Sequence, residues 1–304
     1  MHHDAATEVL KKHGKSFHFA RLFLETDTGN AAARLYRFCR LIDDIADETP
    51  DKNQARSQLE IIKQDIIANS ATHPIVQDFL LLCREYSIDP HHGITLITGV
   101  LQDLDPVALS SYNDLLNYAF RVAGVVGLMM APILGSNRHG HVFAIDLGIA
   151  MQFTNIARDV LEDAQMSRRY LPASWVEDMT VTQLLSPTEQ QQAIVKQAIA
   201  RLLNTAEIFY TSGISGLYYL HPRNRKAIAV AAYLYREIGR KLMHRHCDYL
   251  KGRVSISYTR KCTLAVKALV DMRFTKMARE LPQHEQTLHR LLIIPSAEDY
   301  HHHV

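Results

Sequence analysis

At 304 residues the chain is long enough for one large helical core or two smaller ones. Hydrophobic residues make up 47% and charged residues 22%, the balance of an ordinary folded chain rather than a disordered one. Lys and Arg number 34 against 32 Asp and Glu, a formal charge of +2, so there is no basic field to recruit nucleic acid.

The opening, Met1-His2-His3-Asp4, has no apolar stretch of the signal-peptide kind. Residues 1–4 and 296–304, with His301, His302 and His303, are expected to be disordered ends without a function. Cys39, Cys83, Cys247 and Cys262 stand far apart with no CxxC pair, as reduced, small buried side chains would. The predicted elements that follow are nearly all helical. A helix carries Tyr36 to Asp47. Asp89-Pro90 places a capping residue before a proline at a helix start. The apolar run Val122 to Leu134 is too short to span a bilayer and contains two glycines and Pro132, so it reads as a core helix. Another helix runs from Leu147 to Asp163. Ser186-Pro187-Thr188-Glu189 reads as a capping box opening a long helix through about Ala206. His221-Pro222 opens the next, with Ala227, Val230, Ala231, Leu234 and Ile238 at helical spacing. Period-2 runs, repeats and Gly/Ser/Pro linkers are missing from the sequence. The expectation is one all-α domain of about ten helices spanning 1–304.

Two acidic patterns carry the chemistry. On the first helix Tyr36, Arg40, Asp43 and Asp47 fall on one stripe. Asp43 and Asp47, one turn apart, repel each other, and a hard divalent cation is the natural offset. Leu35, Phe38, Leu41, Ile42 and Ile45 make the helix otherwise apolar, whereas a merely solvated acidic face normally has a polar back. On the second helix Asn155, Asp159 and Asp163 repeat every four residues, with Gln152 on the same side and Arg158 beside them. The basic stretch Ser167-Arg168-Arg169-Tyr170-Leu171-Pro172 follows at once. Facing each other across a cavity, the two helices would hold cations that clamp a diphosphate, with Arg40, Arg158 and Arg168 as fork-shaped donors. The cations would ease departure of the diphosphate, and apolar helices would keep the resulting allylic cation dry.

At these residues the chain resembles the squalene and phytoene synthase family, bacterial phytoene synthases most closely. The match takes in His13-Gly14-Lys15-Ser16-Phe17, Tyr36 to Asp47, Val122 to Met130, Leu147 to Asp163, and Tyr170 to Trp175. The resemblance implies an isoprenoid-synthase-type helical bundle around a central apolar cavity. It implies head-to-head condensation of two geranylgeranyl diphosphates through a cyclopropyl diphosphate to phytoene, a prenyltransferase reaction of carotenoid biosynthesis. Magnesium, with manganese as an alternative, would sit on Asp43, Asp47, Asn155, Asp159 and Asp163. Ser16, Tyr36, Arg40, Gln152 and Arg158 would contact diphosphate or the reacting carbons, assisted by His13. Arg168 and Tyr170 would form a flap over the phosphates, and Tyr249 and Arg253 a late diphosphate contact. NADPH is not expected for the phytoene reading. Phe120 stands where the family usually has a tyrosine, which leaves the second half-reaction open. Arg121 is read either as its compensating phosphate contact or as the partner of a nearby acid.

The remaining residues have plainer readings. Met129, Met130 and Met151 read as core fillers, and Trp175 as a packing anchor. Gly124 and Gly127 allow either close helix approach or a wide tunnel. Arg223-Asn224-Arg225-Lys226 reads as a solvated helix start. Two rivals stand beside the phytoene reading. One is the same chemistry on farnesyl diphosphate, giving squalene, dehydrosqualene or presqualene diphosphate. The other is a catalytically lost scaffold protein. A cytoplasmic location with peripheral contact to the inner membrane face is the expectation, because the product hydrocarbon must reach a membrane.

Overall fold

The computed structural model describes residues 6, 8–10, 14–274 and 281–294. His13, residues 1–4 and the closing stretch 296–304 lie outside them. Thirteen α-helices have both ends among the described residues, and Ala6 and Glu8–Leu10 are helical ahead of them. In chain order they are α1 (Lys15–Arg21), α2 (Thr26–Glu48), α3 (Lys52–Ile67), α4 (Pro74–Tyr86), α5 (His91–Leu101), α6 (Tyr112–Ala119), α7 (Val125–Ile133), α8 (His141–Arg158), α9 (Val160–Gln165), α10 (Val181–Leu185), α11 (Glu189–Ser215), α12 (Pro222–His244) and α13 (Tyr258–Phe274). The all-α class holds, with one small addition: β1 (Val107–Ala108) pairs in parallel with β2 (Arg168–Arg169). Strands of two residues are too short to show alternation in a sequence, so no pattern could have announced them.

The long helices form because apolar side chains recur on one face and find partners there. Helix α2 buries Leu35, Phe38, Ile42 and Ala46, and the Phe38 ring stacks on Phe79 of α4 with centroids 3.8 Å apart. Arg34 and Arg37 of α2 both reach Asp78 of α4, at 2.9 and 3.0 Å, which fixes the register of the two helices. Helix α8 is the central element. It buries ten residues, among them Ile149, Ala150, Phe153 and Ala157, against α7, α11 and α12. The approach to α7 and to the turn before it is so close that a Cβ on Gly127 would overlap the Ala144 carbonyl, and one on Gly148 that of Ala123. Gly127 thus allows close approach, and it also borders the central apolar space.

The start signals hold with two shifts of register. Pro222 is the first residue of α12. Helix α5 begins at His91, one residue later than the sequence suggests, with Pro90 at the N-cap and Asp89 Oδ1 accepting from the His91 backbone N–H at 2.9 Å. The capping box of α11 is Thr188 with Gln191 rather than Ser186 with Glu189, and the helix continues to Ser215. The run Tyr112–Ile133 is long and apolar enough to cross a membrane, yet 61% of its apolar window is buried inside the bundle. Between α6 and α7 it passes through a π-helical turn at Phe120–Gly124.

Candidate active site

Two chambers meet between α2 and α8. The polar one, about 440 Å³, is lined by Arg40, Asp43, Asp47, Asp103, Asn155, Asp159, Glu162, Asp163 and their neighbours. The apolar one, about 340 Å³, runs inward between α1, α2, α7, α8, α11 and α12. Asp43, Val122, Gln152 and Asn155 belong to both walls, so Asp43 of α2 and the amides Gln152 and Asn155 of α8 stand at the neck between them. The spacing of four residues on each helix, predicted from sequence, is what turns these side chains toward one space. The second pattern differs from expectation in one respect. It is not one helix: α8 ends at Arg158, Asp159 has φ −104° and ψ 15°, and α9 begins at Val160. The ladder still holds, with Asp159 N–H to Asn155 O at 2.9 Å and Asp163 N–H to Asp159 O at 2.8 Å, so the three side chains stay together.

Charge is crowded on the polar wall, where six carboxyls (Asp43, Asp47, Asp103, Asp159, Glu162, Asp163) face four guanidiniums (Arg40, Arg158, Arg168, Arg253). Burial, reinforced by Asp47, pushes the Asp43 carboxyl up to about 7. Burial and the neighbouring Asp159 push Asp163 up to about 8. Such groups hold a proton near neutrality unless a cation makes the charged form favourable. Arg158 forks onto both oxygens of Asp159, and Arg253 joins at 3.0 Å. Arg168 bridges the two halves: its Nη2 donates to Asp47 at 2.9 Å and to the Asp103 carbonyl at 3.0 Å. The pairing of β2 with β1 holds this arginine in place.

A hard cation fits this donor set. Every candidate ligand offers oxygen, and the Asn155 Oδ1 is buried without a hydrogen-bond partner at the edge of the chamber. The Arg40 Nε is likewise buried and unpartnered, and the Arg40 guanidinium otherwise pairs with Asp44 and Glu48. Tyr36 lines the apolar chamber, and burial pushes its hydroxyl up to about 12, so it stays protonated.

Asp103 is the residue that sequence reasoning missed. Its carboxylate accepts from Tyr118 at 2.8 Å and from Tyr170 at 2.7 Å, and the two rings stack 4.7 Å apart. Burial pushes Asp103 up to about 6 against these hydrogen bonds. It stands alone in Gln102-Asp103-Leu104-Asp105, with no repeat to mark it, and only the pairing of β1 with β2 brings the flap residues to it. Glu162 and Tyr235 are further lining residues not foreseen.

Three expected contacts fall elsewhere. Phe120 is 1% exposed in the core and lines neither chamber, because two residues along a helical turn from Tyr118 is the opposite face. The hydroxyl at this site is that of Tyr118. Tyr249 is buried away from the chambers and donates to the Leu184 carbonyl at 2.9 Å, while Arg253, four residues on, does reach the acids. Ser16 is half-buried on α1 and lines neither chamber, although the adjacent Phe17 does. Met130 and Met151 line the apolar chamber rather than filling core, whereas Met129 is fully buried. Trp175 is the packing anchor expected, stacked on Tyr112 and covered by Arg201.

Comparison with known proteins converges on one family. The family model for squalene/phytoene synthases matches residues 10–260. The 15-cis-phytoene synthase of Enterobacter agglomerans is 33% identical over 281 residues, 88% of this chain and 95% of its own. The phytoene synthase of Pseudescherichia vulneris is 34% identical over 253 residues, covering 79% and 82%. Among solved structures, a dehydrosqualene synthase in complex with ligand superposes with a TM-score of 0.79 at 26% identity, covering 89% of this chain and 96% of the other.

Proposed function

Because the chain belongs to the squalene/phytoene synthase family and is therefore a prenyltransferase, we propose that it joins two geranylgeranyl diphosphates head to head to give phytoene. The observation that carries this reading is the neck shared by the two chambers, where Asp43, Gln152 and Asn155 border both the charged space and the apolar one. An allylic diphosphate has the same two-part character: a polyanion at one carbon and a long hydrocarbon behind it.

In the proposed reaction the C1–O bond of one substrate breaks and its electron pair leaves with diphosphate. The C2–C3 double bond of the second substrate attacks C1, and loss of a proton closes a cyclopropyl diphosphate. That intermediate loses its own diphosphate, rearranges, and sheds a second proton to leave phytoene, so no reductant is consumed. Asp43 and Asp47 from α2, with Asn155, Asp159 and Asp163, would hold divalent cations, magnesium by donor type. Bound there, the cations would neutralise charge on the departing diphosphate. Arg40, Arg158, Arg168 and Arg253 bind its remaining oxygens, each guanidinium presenting a donor fork. The apolar wall keeps water from the cation, and Tyr36 and Tyr235 offer ring faces that stabilise it. Tyr118 and Tyr170, hydrogen-bonded to Asp103 beside the neck, are placed to pass on a proton.

The likeness to a dehydrosqualene synthase supports a second reading, the same chemistry on farnesyl diphosphate. Against the scaffold alternative, a family member that has lost catalysis, stands the convergence of both acid patterns on one chamber, which a scaffold would not need. Purified protein with magnesium and each prenyl diphosphate separates the two. The account expects a forty-carbon hydrocarbon and release of two diphosphates from the twenty-carbon substrate. Turnover with the fifteen-carbon substrate alone would replace it by the second reading, and release from neither would contradict both.

A further inference from the structure

Asp146 sits in the second turn of α8 with no solvent exposure. Helical spacing turns it away from Ala144, Gly148, Met151 and Asn155, which line the chambers, so it takes no part in the site described above. Its two oxygens are met by two imidazoles from the segment 281–294. His289 Nε2 lies 2.6 Å from Oδ1, and His284 Nε2 lies 2.9 Å from Oδ2. Ser212 of α11 also donates to Oδ2. The two rings are 4.4 Å apart, and the side chains are 10% and 12% exposed. The His284, His289 and Asp146 ligand atoms all lie within 4.8 Å of one another.

We propose that Asp146, His284 and His289 form a second metal site, for a zinc-class cation, which ties the segment 281–294 to the back of α8. Four features support this. The spacing His-x4-His across a short 3-10 turn at Gln286–His289 falls within that of zinc-binding histidine pairs. Both rings present the same nitrogen, Nε2, to the one Asp146 carboxylate. Two imidazoles with one carboxylate suit zinc or cobalt and not magnesium, which takes all-oxygen sites such as the catalytic one. Ser212 supplies the outer hydrogen bond that orients a ligating carboxylate. Ligand atoms around a tetrahedral zinc stand about 3.3 Å apart, so replacing the two Nε2 protons by the ion opens the cluster by roughly half an ångström. The segment is already secured on either side of the histidines: Tyr219 donates to the Pro282 carbonyl at 2.8 Å, and the Asn117 amide pairs with Leu291 and Ile293. The metal would fasten its middle.

The test reads metal rather than turnover, so it stands or falls apart from the proposed reaction. Full-length protein, stripped with a chelator and kept in excess magnesium, is titrated with cobalt and with zinc. The account expects one tight equivalent with the visible absorption bands of tetrahedral cobalt, and a melting temperature raised by zinc. Affinity should fall about 100-fold or more in His284→Ala and in His289→Ala. X-ray absorption of the zinc-loaded wild-type protein should show two imidazoles and oxygen around the ion, which needs no variant to fold. Binding that survives both substitutions undiminished, or an ion without imidazole ligands, overturns the proposal. So does the lack of tight binding in the wild-type protein.

Discussion

At the scale of single residues, the site is built from groups held in unfavourable company. Asp43 and Asp163 are raised to about 7 and about 8 by burial first and by neighbouring carboxylates second. A raised carboxyl binds more protons folded than unfolded, so its contribution to stability is complete below its unfolded value and fades as pH rises through the folded one. Without divalent cations the melting temperature should therefore decline between about pH 4 and 8. Magnesium should restore it, more strongly at pH 8.5 than at pH 6, where protons compete for the same oxygens. Asp163→Asn removes the charge while keeping the shape. It should flatten that decline, shrink the response to magnesium and abolish diphosphate release, as calorimetry and a pyrophosphate assay would show. An unchanged magnesium response would remove Asp163 from the ligand set.

The hydroxyls make a second case at this scale. Tyr118→Phe should slow product formation at least tenfold while leaving the fold intact, because it takes one hydrogen bond from Asp103 in the chamber. Phe120→Tyr should instead cost about 1–3 kcal/mol of stability by burying an unpartnered hydroxyl in the core, with products unaltered. Altered products from Phe120→Tyr would place that ring back at the site. The acid repeats were legible in the sequence because helical spacing alone turns Asp43 with Asp47, and Asn155 with Asp163, the same way. Asp103 was not, since its significance lies in partners 15 and 67 residues distant that only tertiary packing supplies.

At the scale of elements, α8 is shared by three tasks. One side lines the chambers through Gly148, Met151 and Gln152, another packs on α11, and its end delivers Asp159. The break at Asp159 was illegible because neither glycine nor proline marks it. Arg158 and Arg253 gather on the Asp159 carboxylate at the point where the helix yields. Burying Arg158 requires this partner, so the kink and the charge pair come together. The π-helical turn at Phe120–Gly124 is a second local departure on the chamber wall, where Val122 borders both spaces. Helix α8 can approach α7 only across glycines. Gly148→Ala would press a methyl into the Ala123 carbonyl and should cost about 1–3 kcal/mol or more, lowering the melting temperature and the activity together. A variant as stable as the parent would show that the two helices can part without loss.

At the scale of the molecule, the helical class could be read from the chain, since amphipathic periods recur from α2 to α12, whereas the central apolar cavity was what the family resemblance implied. The extent of the cavity could not be read. It depends on which faces stay unfilled, and Met130 and Met151, which look like core, turn out to be its wall. The two chambers divide the work between charge and hydrocarbon, and everything proposed for catalysis follows from their common neck. The most direct measurement is a crystal structure with magnesium and a non-hydrolysable prenyl diphosphate. The account predicts a diphosphate between α2 and the α8–α9 junction, cations touching Asp43 or Asp47 on one side and Asn155, Asp159 or Asp163 on the other, and the prenyl chain lying along Met130, Met151 and Tyr235. A diphosphate seated outside this space, or cations held by only one of the two helices, would contradict it.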